Sequence, residues 1–164
     1  MVLVAWDDLS GLAGQVVMVD GSFDPLHDGH IGYFEQASQL GSPVLCNVTP
    51  DSVTDEKHPV LLQAQDRARV LDALKSLGYI HVSEHPTVDV LRKLRPIAYV
   101  KGPDWKERLP EEEAQACAEL NIEIAHTSGP TNSSRKLLSN VPPRPPSLQE
   151  LDDFEVFLAD QDAT

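Results

Sequence analysis

Short apolar runs alternate with segments of helical periodicity along most of this 164-residue chain. The run QVVMVD (15–20), rich in β-branched residues and bounded by glycines, predicts a buried strand. The other predicted strands cover 43–49, 79–83, 96–101 and 122–127. The predicted helices cover 31–40, 63–78, 87–95 and 110–120, with a last short helix from about Ser133. This alternation predicts an α/β, doubly wound, five-stranded parallel sheet with helices on both faces.

Polar segments follow the first, fourth and fifth predicted strands. In open parallel sheets, ligands bind at the carboxyl ends of the strands, near the point where the strand order switches. We therefore expect these three segments to meet around a ligand. The stretch 1–14 has too few apolar positions to distinguish a short helix from a loop.

The charge of the chain excludes some partners. Asp and Glu number 26 against 13 Lys and Arg, giving a formal net charge of -13, which disfavours nucleic acid. No window approaches the ~20 apolar residues of a membrane span, and the first residues resemble no signal peptide, so we expect no membrane and a cytoplasmic location. Cys46 and Cys117 show no disulfide or metal-binding pattern, and we expect both to be reduced and buried.

The composition changes near residue 140. We predict one catalytic domain over 1–140, followed by a Pro-rich linker and an acidic tail over 141–164. The run VPPRPP is typical of an extended linker. The apolar residues beyond it permit a docked amphipathic helix or a partly disordered tail, and docking is favoured because two phenylalanines would otherwise contact water.

The segment GSFDPLHDGH (21–30) lies between the first strand and the first helix. Glycine-permitted turns and the free N–H groups of a helix start make such a place an anion site. His27 and His30 are three residues apart, so both can face one ligand and donate hydrogen bonds to a phosphate. Gly29 leaves room for the phosphate to approach the backbone.

This segment resembles the nucleotidyltransferase signature, in which a glycine and an aromatic-Asp pair precede His-x-Gly-His. Residues 14–140 are most similar to the cytidylyltransferase-like branch, which includes glycerol-3-phosphate cytidylyltransferases and the adenylyltransferase domain of ADP-heptose synthases. The resemblance implies a Rossmann-like fold and a homodimer. It also implies that Lys57 contacts the triphosphate and acts with the two histidines as a catalytic group.

Further motifs extend the resemblance. VKGPDW (100–105) resembles the Lys-Gly-x-Asp-aromatic motif of the family, and SGPTNSSRKLL (128–138) resembles its final motif, where hydroxyls contact the triphosphate. Arg67 matches an arginine of the family, although a helix ion pair with Asp66 or Asp72 explains it equally well. The nucleotide-binding residues implied are Gly21, Ser22, Phe23, Asp24, Gly29, Arg67, Lys101, Gly102, Asp104, Trp105, Thr131, Ser133, Ser134 and Arg135.

The chemistry implied is in-line attack by a phosphate oxygen of an acceptor on the α-phosphorus of CTP or ATP, which releases pyrophosphate. Such transfer depends on positioning and on stabilising negative charge, so no strong base is needed. Mg²⁺ is expected to bridge triphosphate oxygens and waters, with at most one protein carboxylate. Asp24 is a candidate, but we expect it to fix the turn through backbone hydrogen bonds and assign no protein metal ligand. The acceptor implied is a sugar phosphate or polyol phosphate.

Two other functions fit the residues. The first is a nucleotide-binding regulatory or assembly protein without turnover. The second is a metal-dependent hydrolase with His27 and His30 as ligands, for which the sequence offers no clear third ligand.

Overall fold

The computed structural model describes residues 2–128. Its strands are β1 (Val2–Leu3), β2 (Val17–Gly21), β3 (Val44–Val48), β4 (Tyr79–Val82), β5 (Ala98–Lys101) and β6 (Glu123–His126). They form one sheet in the order β1-β4-β3-β2-β5-β6, with every neighbouring pair parallel. The five predicted strands and the doubly wound α/β fold are confirmed. β1 adds a sixth strand at one edge, in the stretch 1–14 for which the sequence predicted either a short helix or a loop.

Five α-helices connect the strands of the described chain. They are α1 (Asp28–Ser38), α2 (Asp51–Asp55), α3 (Ala64–Asp72), α4 (Thr87–Leu94) and α5 (Glu111–Leu120). α1 begins three residues earlier than predicted, directly after His27. The prediction of a helix over 63–78 was too long, because α3 ends at Asp72 and residues 73–78 lead to β4 through turns. α2 was not predicted, since five residues are too few to show a helical period.

The strands alternate their side chains between two apolar layers. Val17 and Val19 face α1 and α3, where Phe34 and Leu71 are completely or almost completely buried. Met18 faces the opposite layer, which is formed by α4, α5 and a 3₁₀ helix at Trp6–Leu12. Helices therefore cover both faces of the sheet, and ligand access is left to the ends of the strands.

The two cysteines are buried and unpaired, as expected. Burial raises the pKa of Cys117 to about 11 and raises that of Cys46 well above its ordinary value. Both thiols are therefore protonated at neutral pH. Within residues 2–128, no helix is long and apolar enough to cross a bilayer. The predicted helix from Ser133 and the tail at 141–164 lie outside the described residues.

Candidate active site

A cleft of about 740 Å³ opens at the carboxyl ends of β2, β3 and β5. The strand order switches here, because β3 lies on one side of β2 and β5 on the other. The position agrees with the rule for ligand sites in open parallel sheets. The predicted site residues that line it are Gly21, Ser22, Phe23, Asp24, His27, Gly29, His30, Lys57, Lys101, Gly102, Asp104 and Trp105.

The two signature histidines lie together at the amino-terminal end of α1. The imidazole rings of His27 and His30 stack with their centroids 3.7 Å apart. Burial lowers the pKa of His30 to about 3, with a further contribution from His27, and burial also lowers the pKa of His27. Both rings are therefore neutral at pH 7, and each carries one N–H donor.

These imidazoles have unused hydrogen-bonding capacity. His30 Nδ1 and both ring nitrogens of His27 are buried and have no hydrogen-bond partner among the described residues. Buried polar groups without a partner are costly, and in native proteins they often mark a place that a ligand completes. The pair can therefore receive phosphate oxygens beside the first turn of α1, whose N–H groups add further donors.

The Phe23 ring packs against His30 and supports its position. Its ring meets His30 edge to face at 5.1 Å and packs against Phe34 at 5.0 Å. Its backbone has φ of 54°, in the left-handed region that a bulky residue rarely adopts. A Cβ on Gly21 would lie only 3.0 Å from the Phe23 ring, so glycine is needed there for this ring to fold back.

Asp24 fixes the loop that precedes α3. Its two carboxylate oxygens accept the backbone N–H groups of Leu61 and Leu62 at 2.8 and 3.1 Å, and its side chain is buried. The carboxylate therefore ties the signature turn to residues 61–62. Both of its oxygens are thereby engaged by backbone N–H groups of the protein.

Arg67 is buried under the signature turn and does not line the cleft. Its guanidinium donates to the carbonyl oxygens of Ser22 and Leu62 and to Asp51 Oδ1, at 2.6 to 3.0 Å. The ion-pair partner is thus Asp51 on α2, rather than the helix neighbours Asp66 or Asp72. Arg67 supports the site from outside by joining β2, α2 and the 61–62 loop.

Lys101 and Asp20 form a buried ion pair across β5 and β2. The ammonium lies 2.8 Å from Asp20 Oδ1, and the two side chains are only 6% and 7% exposed. The Trp105 ring covers the ammonium at 4.1 Å, and the ammonium also donates to the Tyr99 hydroxyl. Thr87 at the start of α4 donates to the second Asp20 oxygen.

Glu113 extends this network to α5. The Tyr99 hydroxyl donates to Glu113 Oε2 at 2.9 Å. Burial raises the pKa of Glu113, although Lys101 acts in the opposite direction. Asp20, Thr87 and Glu113 line the cleft but were not identified from the sequence. The signal for Asp20 was available, because Asp20 and Lys101 end two strands whose carboxyl ends meet at the switch point.

The remaining groups lie nearer the mouth of the cleft. Lys57 is exposed on the loop after α2, and Arg108 follows the 3₁₀ turn Pro103–Trp105. The carboxylate of Asp104 folds back to 2.7 Å from the position that a Cβ on Gly102 would occupy. That close approach explains glycine in the Lys-Gly-x-Asp motif.

The chain leaves β6 beside α1. Gln36 exchanges two hydrogen bonds with the Ser128 backbone, at 2.9 and 2.8 Å, and both residues line the cleft. These two hydrogen bonds fix the end of the described chain against α1. Thr131, Ser133, Ser134 and Arg135 lie outside the described residues.

Comparison with known proteins agrees with this arrangement. Residues 18–146, more than half of the chain, match the cytidylyltransferase-like family. The chain belongs to that family. The all-parallel α/β sheet described above agrees with that membership.

Individual relatives refine the comparison. The chain is 40% identical to the bifunctional protein HldE of Magnetococcus marinus over 97 residues, which is 57% of this chain and 20% of that protein. It is 35% identical to the FAD synthase of Thermococcus onnurineus over 103 residues, 58% of this chain and 69% of that protein. The cytidylyltransferase-like chain thus spans about a fifth of the length of the HldE proteins it matches.

A solved structure shares the fold. A lipopolysaccharide core biosynthesis protein from Thermoplasma volcanium superposes with a TM-score of 0.60 at 22% identity, covering 71% of this chain and 98% of that chain. At this identity the likeness supports the fold only.

Among the described residues, no three His, Cys, Asp or Glu side chains form a group that could hold a metal ion.

Removing the Asp24 carboxylate should loosen the signature turn. We expect Asp24→Ala to lower the free energy of unfolding by on the order of 2–3 kcal/mol, because hydrogen bonds to a charged group are among the stronger ones. Asp66→Ala is the matched control, since Asp66 makes only a long surface ion pair with Arg69 at 3.7 Å. Chemical denaturation measures the free energy of unfolding of both variants. Equal losses would contradict the stabilisation of the signature turn by the Asp24 carboxylate.

Acid should destabilise the protein through His30. Its pKa is about 3 when folded and about 6.5 when unfolded, so below pH 6.5 the unfolded chain binds a proton that the folded chain does not. Stability is therefore retained above pH 6.5 and lost as the pH falls towards 3. Between pH 7 and pH 5, the free energy of unfolding should fall by on the order of 1–2 kcal/mol less in His30→Gln than in the wild-type protein. Denaturation curves at both pH values measure it, and an unchanged pH dependence would contradict the neutral buried imidazole.

Proposed function

We propose that this chain transfers AMP from ATP to a phosphorylated small molecule, a sugar phosphate or polyol phosphate, and releases pyrophosphate. The observation that carries the proposal is the pair of neutral imidazoles, His27 and His30, at the helix end of the cleft. Three of their ring nitrogens are buried without a hydrogen-bond partner in the part of the chain that the structure describes. The name of the FAD synthase relative indicates a reaction in which a nucleotide is joined to an already phosphorylated molecule, and it favours ATP over CTP.

The reaction needs no covalent enzyme intermediate. An oxygen of the acceptor phosphate attacks the α-phosphorus of ATP, the bond to the bridging oxygen of the β-phosphate breaks, and pyrophosphate leaves with that electron pair. The imidazole N–H groups and the first turn of α1 stabilise the charge that develops on the transferred group. An acceptor that is already an anion requires no general base, which agrees with a site rich in donors.

The charges that line the cleft favour a triphosphate that binds together with Mg²⁺. Its cations are Lys57, Lys101 and Arg108, and its carboxylates are Asp20, Asp24, Asp28, Asp104 and Glu113. The described lining is therefore not positive enough to balance a triphosphate. Asp20 is paired with Lys101 and Asp24 with backbone N–H groups. Magnesium is thus best carried by the triphosphate itself, with waters completing its coordination.

The test is pyrophosphate release in the presence of Mg²⁺. ATP and CTP are each assayed with glycerol 3-phosphate, ribitol 5-phosphate and a panel of sugar 1-phosphates, with the unphosphorylated acceptors as controls. We expect release to require ATP and one phosphorylated acceptor. If an acceptor supports release with CTP but not with ATP, the nucleotide substrate is CTP and the assignment of ATP is wrong. Nucleotide binding without release for any acceptor would support the regulatory alternative.

A further inference from the structure

A second cavity of about 320 Å³ lies at the carboxyl end of β4, next to the edge strand β1. Its walls include Val4, Trp6, Gln65, His81, Glu84 and His85, none of which lines the reaction cleft. The two cavities are separated by the loop 83–87, which contributes His85 to one and Thr87 to the other. This second cavity has features of a binding site.

His81 provides an unsatisfied acceptor in that cavity. Its side chain is 3% exposed, and its Nδ1 lies 2.9 Å from the Val4 carbonyl oxygen, so Nδ1 carries the hydrogen. Burial lowers the pKa of His81, and the ring is neutral at pH 7. Nε2 is therefore a buried lone pair, and it has no partner among the described residues. A ligand that completes it must bring an O–H or N–H donor.

The walls indicate which donor fits. The Trp6 ring stacks on His85 at 3.8 Å, and the Lys93 ammonium lies over the indole at 4.8 Å. A nucleobase that stacked on Trp6 would therefore have to compete with both groups. Among the described residues that line the cavity, Glu84 is the only carboxylate or permanent cation, so an anionic group is disfavoured. A neutral hydroxyl fits best.

Hydrogen bonds between Ser83 and His85 fix the part of the cavity wall that contains His85. Ser83 Oγ donates to the His85 carbonyl oxygen at 2.7 Å and accepts its backbone N–H at 3.0 Å. Ser83 is itself buried. The cavity is therefore shaped by fixed groups, which reduces the entropy lost on binding.

The sheet register relates this cavity to the reaction cleft. Asp20, Asn47 and His81 are in register on β2, β3 and β4, so their side chains share one face of the sheet. Strands lie about 4.8 Å apart, which separates Asp20 in the cleft from His81 by about 10 Å. Asn47 lies between them, 1% exposed, and neither of its amide atoms has a partner among the described residues. Asp20 in the cleft and His81 in the second cavity are thus the two ends of one polar row, whose middle residue Asn47 lines neither cavity.

We propose that the second cavity is a subsite for the far end of the acceptor, where a hydroxyl of a polyol or sugar chain donates to His81 Nε2. This inference rests on the proposed function, since the phosphorylated end of the same molecule reacts in the cleft. It assigns to His81 a role in specificity. It also favours acceptors whose hydroxyl chain reaches beyond the loop 83–87 over short ones such as glycerol 3-phosphate.

The experiment compares acceptors of different length in the wild-type protein and in His81→Phe, which keeps a ring but removes the acceptor nitrogen. With MgATP, we expect a higher kcat/KM for ribitol 5-phosphate than for glycerol 3-phosphate. In His81→Phe, this value should fall about tenfold for ribitol 5-phosphate only, with the KM for ATP unchanged. His126→Phe is the control, because His126 also has a buried Nε2 without a partner among the described residues but lines neither cavity. Equal losses for both acceptors, or none, would overturn the subsite.

A binding measurement separates this inference from the proposed function. Saturation-transfer NMR with unphosphorylated ribitol needs no turnover, and we expect a signal with wild-type protein that His81→Phe loses and His126→Phe keeps. Ribitol binding without pyrophosphate release would support the subsite and contradict the proposed reaction. Release together with ribitol binding that is equal in all three proteins would support the reaction and overturn the subsite.

Discussion

Replacing either signature histidine with alanine is expected to reduce kcat by about 10²–10³-fold, the usual effect of removing one preorganised donor to a developing oxyanion. His27 and His30 are neutral and stacked, and His30 Nδ1 and both ring nitrogens of His27 have no hydrogen-bond partner within residues 2–128, so these groups are available for the phosphates. The KM for ATP should change less than kcat, because these hydrogen bonds strengthen as charge develops during transfer.

Circular dichroism and chemical denaturation distinguish lost chemistry from lost structure in these variants. His30 contacts Phe23 edge to face, so His30→Ala should cost some stability, whereas His27 lies further out and its removal should cost less. His126→Ala is the matched control, since His126 lies on β6 outside the cleft lining. A folded His27→Ala or His30→Ala variant with kcat within a few-fold of wild type would remove these residues from the catalytic step.

The order of strands and helices could be predicted because each element carries its own local pattern. The β-branched runs and the amphipathic helices identified five strands and most helix positions, and the parallel-sheet rule placed the cleft at their carboxyl ends. β1 and α2 were missed because two and five residues are too short to show a period. Their existence depends on tertiary contacts, such as the pairing of Leu3 with Ile80 on β4.

The site was predictable where residues adjacent in sequence also act together. His27 and His30 are three residues apart, and their joint position follows from the strand-turn-helix pattern alone. Arg67 was harder, because its partner Asp51 lies on the short helix α2, 16 positions earlier. The part played by Asp20 depends on Lys101, which is 81 positions away and meets it only through the strand order. Local patterns do not report such pairings.

Breaking the Asp20–Lys101 pair is expected to give the largest loss of stability. Lys101→Met leaves the Asp20 carboxylate buried with Thr87 as its remaining side-chain partner, and removing one member of a buried ion pair costs about 3–5 kcal/mol. The loss comes from an unpaired buried charge rather than from the missing methylene contacts, since methionine retains most of the lysine stem. Chemical denaturation at neutral pH measures it.

A double-mutant cycle tests that cause directly. Adding Asp20→Asn to Lys101→Met removes the unpaired charge, so the double variant should be more stable than Lys101→Met alone. Arg92→Met is the control, because it breaks an ion pair of the same 2.8 Å length whose side chains are 47% and 44% exposed, and such pairs contribute about 1 kcal/mol at most. If Lys101→Met costs no more than Arg92→Met, or if the two losses in the double variant simply add, burial does not control the energy of this pair. If the double variant recovers as expected, the stability of the cleft depends on the neutralisation of Asp20 on β2 by Lys101 on β5. The Lys101 ammonium is then fixed by Asp20 and Trp105 and does not move to contact the phosphates.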